Sequence, residues 1–82
     1  MLSFKALAAI GRAGRNASGY EIVEASGLHF LDAAEAFRAL LITAPEQDVA
    51  AAARRAMLCA EDMIDHWADR SAERFLAARE ME

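Results

Sequence analysis

The chain has 82 residues and a net charge of −4, a length that fits one domain near the lower edge of independent stability. Its single cysteine, Cys59, excludes an internal disulfide and a multi-cysteine metal cage and fits a reducing compartment. The apolar stretch from Met1 to Ile10 is too short to span a bilayer and no cleavage-site pattern follows it, so the expected setting is the cytoplasm, without membrane association.

Low Gly and Pro content, abundant Ala, Leu, Glu and Arg, and the lack of any alternating β-branched run predict an all-α fold. The expected architecture is one small four-helix domain over residues 1–82. Hydrophobic residues make up 56% of the chain, but alanine supplies much of that figure; four Phe, one Trp and one Tyr are the large anchors, so the core should be thin.

A first helix is expected over 3–14, capped by Ser3, with Phe4, Leu7, Ala8 and Gly11 at helical spacing and a stop at Gly14 to Asn16. Three S/T/D-x-x-E signals then mark starts, because the first side-chain oxygen can accept from the amide three residues on while the glutamate reaches back. They are Ser18 with Glu21, Asp32 with Glu35, and Thr43 with Glu46. They predict helices over 19–26, 32–43 and about 44–80, with Gly27 as a left-handed stop for the second and Pro45 in the first turn of the fourth.

Projected at 100° per residue, the last helix collects Val49, Ala53, Ala56, Met57, Ala60, Met63, Ile64, Trp67, Ser71, Phe75 and Ala78 on one arc, the expected buried face. The opposite arc holds Glu61, Asp62, Asp65, Asp69, Glu73 and Glu80, with Leu58 and Leu76 out of pattern among them. A helix of about 35 residues runs to about 50 Å. Either it protrudes from so small a domain or it pairs, which makes a homodimer one expectation; the alanines of its inner face suit close helix approach.

Residues 18–43 resemble a helix-turn-helix, with Gly27 and Leu28 at the turn and Ala33, Ala36, Phe37 and Leu40 at core spacing in the second helix. Such a resemblance implies a small transcriptional regulator that dimerises through its long last helix. The charges oppose it. A recognition helix needs Arg, Lys, Asn or Gln on base edges and basic neighbours on phosphates, whereas this one offers Asp32 and Glu35 against Arg38, and the preceding helix adds Glu21 and Glu24. Direct DNA binding is therefore not expected.

Charge is unevenly spread. Residues 1–20 carry Lys5, Arg12 and Arg15 with no acid, residues 21–53 carry six acids against Arg38, and residues 54–82 carry seven acids against five arginines. Asp62 and His66 are four apart on a helix, a spacing that suits two metal ligands, but a defined site needs three or four converging ones. No metal, cofactor or catalytic group is expected, because no nucleophile, base and orienting residue can be assembled here. The expectation is a non-enzymatic protein-binding module. Its acidic helical surface, Glu21, Glu24, Asp32, Glu35, Glu61, Asp65 and Asp69, would engage a basic surface on another protein, with Leu58, Leu76 and Tyr20 as apolar contacts. In type, a small acidic chain of this kind resembles the phage-encoded anti-CRISPR proteins, which implies an inhibitor that mimics nucleic acid on a nucleic-acid-binding complex.

Overall fold

A computed structural model describes residues 2–44 and 46–80; for residues 71–73, 75 and 77–80 it describes the helical backbone alone. Four helices follow in order: α1 (Leu2–Ala13), α2 (Gly19–Ser26), α3 (Phe30–Thr43) and α4 (Gln47–Glu80), with no strand among the described residues. The first three helices and the front half of α4 form a head, and the 34-residue α4 continues past it, giving extents of 54 × 20 × 18 Å.

The start of α2 follows local chemistry. Ser18 is its N-cap, the side-chain oxygen accepting from the Glu21 amide at 3.2 Å, and Gly27 ends it at φ +67°, where a Cβ would be strained. Gly14, at φ +100°, closes α1.

Other expected starts are displaced. Ser3 lies inside α1, which begins at Leu2, and so caps nothing. Helix α3 begins at Phe30 rather than Asp32, because the His29 imidazole Nδ1 accepts from the Leu31 amide at 3.3 Å and serves as the cap. Asp32 then falls in the first turn, where its charge suits the helix dipole without capping it. Thr43 closes α3 instead of opening α4; its hydroxyl donates to the Ala39 carbonyl at 3.0 Å. Glu46 is drawn to Arg15 at 3.0 Å, and α4 begins at Gln47. The expected place of Pro45 lies outside the described residues.

The core is thin, as composition implies. Phe37 and Ile22 are the largest fully buried side chains, and around them the helices meet through Ala6, Ala9, Ala33, Ala36, Ala52, Ala53, Ala56 and Ala60. Alanine contributes little apolar area per residue but lets helix axes approach. Helix α4 packs chiefly on α3 and α2, while α2 touches α3 little. At Gly19 the approach is close: an added Cβ would fall on the Arg55 carbonyl oxygen and lie 3.0 Å from Cys59 Cβ.

Arg55 completes this joint. Its guanidinium donates to the Arg15 carbonyl at 2.6 Å and the Ala17 carbonyl at 3.1 and 3.2 Å, tying the α1–α2 loop to α4. Buried Ser26 is also satisfied, donating to the Val23 carbonyl and accepting from the Leu28 amide. Among the described residues no buried side-chain polar atom lacks a partner.

Candidate protein-binding surface

The arc of α4 expected to be buried is buried only while the head covers it. Val49, Ala53, Ala56 and Ala60 are buried, as is Ala52 beside them; Met57, Met63 and Ile64 are half-buried, and Trp67 is 56% exposed. Trp67 is therefore not a core residue. Helix α3 starts at Phe30, whose ring stacks on Trp67 at 6.3 Å, and beyond that contact α4 runs free of the head. The side chains of Ser71, Phe75 and Ala78 lie outside the described residues.

A groove follows from this geometry. At the head end it is walled by Tyr20, Val23, Glu24, Leu28, Phe30 and Met63, where α2 and the Gly27 turn face α4. It continues between Phe30 and α4 along Cys59, Asp62, Met63, His66 and Trp67. The floor is apolar, and Glu24 and Asp62 are the carboxylates in its walls. Burial, and after it the Asp62 carboxylate, push the Cys59 thiol above its ordinary pKa, so at neutral pH it is a neutral wall group and not a thiolate nucleophile.

Of the acids expected to contact a partner, Glu21, Glu24, Asp32, Glu35, Asp65 and Asp69 are exposed, and Glu24 alone lines the groove. Glu21 and Glu24 share one side of α2 by their i, i+3 spacing, as do Asp32 and Glu35 on α3. Glu61 is engaged within the chain, accepting from the Arg38 guanidinium at 2.8 Å. Leu58 and Leu76 are 48% and 58% exposed on the outer side of α4 and line neither part of this groove.

The periodicity of α4 put Met63 and Trp67 on the buried arc and Asp62 on the opposite one, and gave Phe30 no role; in the fold all four line the groove. Asp62 and His66 do line one groove, but no cluster of three or more metal-ligating side chains occurs among the described residues.

Two of the three N-terminal cations are spent on the fold. Arg12 donates to the Ala25 carbonyl at 2.7 Å, in the last turn of α2, and Arg15 pairs with Glu46 and with Asp48 at 3.4 Å. No described helix is long and apolar enough to cross a membrane. Compared with protein-family models, with curated proteins and with solved structures, the chain matches none.

Proposed function

We propose that this protein is a non-enzymatic binding module that receives a basic, apolar-anchored segment of another protein. One observation carries the reading: the apolar groove from Tyr20 to Trp67 has Glu24 and Asp62 in its walls, with Glu21 beside them on α2. Apolar floor supplies buried contact, and the carboxylates select and steer a cationic partner. Asp32, Glu35, Asp65 and Asp69 are exposed away from the groove and add to the acidic surface, and Leu58 and Leu76 offer apolar contact on the outer side of α4.

The form of this function that the net charge of −4 favours is inhibition of a nucleic-acid-binding complex, in the manner of anti-CRISPR proteins that present carboxylates where phosphates would lie. A DNA-reading role for α2 and α3 is the weaker alternative. Arg38, the only basic residue of α3, is ion-paired with Glu61, which leaves that helix an acidic face toward DNA.

Affinity capture from the native host, eluted in rising salt, tests the reading. A basic protein should be retained by the wild type, leave as salt rises, and be lost from Glu21→Lys/Glu24→Lys. Retention of the same proteins by that variant at every salt concentration overturns it.

A further inference from the structure

The groove does not end at the acidic wall. Past Asp62 it shares His66 and Trp67 with a smaller recess lined by His66, Trp67, Arg70 and Arg74. These residues recur along one side of α4, and from Asp62 to Arg74 they cover about 18 Å at 1.5 Å per residue. No described carboxylate lines this outer recess; Asp65 and Asp69, on the same turns, do not reach it. Among the described residues the charges along the channel are segregated, with Glu24 and Asp62 at the head, Phe30, Met63 and Trp67 between, and Arg70 and Arg74 toward the tip.

We propose that the partner segment seated here carries segregated charge. Its basic residues lie over Glu24 and Asp62, its apolar residues over Phe30 and Trp67, and its acidic residues over Arg70 and Arg74. This rests on the groove reading above and adds to it the chemistry and direction of the docked segment. A uniformly basic segment is attracted at one end and repelled at the other; a segregated one is complementary throughout. About three helical turns, a length an amphipathic helix spans with anchors at i, i+3 or i+4 and i+7, match the channel. A nucleic acid is the poorer occupant, since its evenly spaced phosphates would meet Glu24 and Asp62 at the head end.

Trp67 is the only tryptophan, so its emission reports occupancy directly. The full chain is titrated with two tryptophan-free amphipathic peptides that share one leucine stripe, the first with lysines throughout, the second with lysines at one end and glutamates at the other. The segregated peptide should bind the wild type roughly fivefold to tenfold more tightly. Arg70→Glu/Arg74→Glu, which alters exposed positions, should reverse that preference with an unchanged circular dichroism spectrum. Equal binding of both peptides, unaffected by this variant but lost in Glu24→Lys/Asp62→Lys, overturns the segregated-charge proposal while the basic-partner reading survives. Binding that ignores Glu24→Lys/Asp62→Lys overturns both. A concentration-dependent shift of Trp67 emission without peptide, or an equal response to single-stranded DNA, overturns it in favour of a second copy or a nucleic acid.

Discussion

Cys59 shows how one side chain records its surroundings. Its thiol is pushed above the ordinary value first by burial and then by Asp62, both of which disfavour the thiolate. The stability this contributes is fully present below the pKa of the unfolded thiol and declines as pH rises through the higher folded value. Alkylation of Cys59 followed against pH should accordingly accelerate only above the range of a free cysteine. Asp62→Asn should move that onset down without bringing it below the free-cysteine range, because burial, the larger cause, remains. An onset at or below the free-cysteine range in the wild type would contradict the effect of burial on this thiol.

At the scale of elements, the joint between α2 and α4 is the most demanding contact. Gly19 has no room for a methyl group beside the Arg55 backbone, so Gly19→Ala should cost about 1–3 kcal/mol by overpacking. Gly11, on the exposed side of α1 with nothing within 4 Å of an added Cβ, offers the opposite sign. There Gly11→Ala should stabilise by about 0.5–1 kcal/mol through helix propensity. Urea midpoints that move in opposite directions at constant m-value check the pair; parallel shifts would contradict the packing at Gly19. Gly11 lies inside a helix and Gly19 directly after the Ser18 cap, but nothing in the sequence tells that Gly19 alone faces a neighbouring backbone. Helix identity was legible because propensity and periodicity are local, and Ser18 and Gly27 work within four residues of themselves. The cap at His29 was not, since its imidazole takes the Leu31 amide and starts the helix before the Asp32 signal is reached, and Thr43 had a nearer acceptor in Ala39.

For the whole molecule, periodicity names the apolar side of α4 but not how far the head reaches along it. That reach is set by where α3 begins, and the two-residue advance of its start to Phe30 places the stack on Trp67. The acidic middle of the chain could be read from composition, yet its meeting with apolar side chains could not. Glu24 and Asp62 are far apart in sequence and converge on one groove only because α2 is pinned to α4 at Gly19 and Arg55. The remaining acids are dispersed over α3 and the far side of α4, so the candidate site is narrower than the run of carboxylates suggests.

The central claim is that this acid-walled groove receives a basic apolar segment, and the salt dependence of that binding tests it most directly. Isothermal titration of the full chain with the lysine-bearing amphipathic peptide, at low and at physiological ionic strength, should give one saturable site. Its affinity should fall as salt rises, and should be lost in Glu24→Lys/Asp62→Lys. Absence of binding, or binding indifferent to both salt and that variant, would contradict the account.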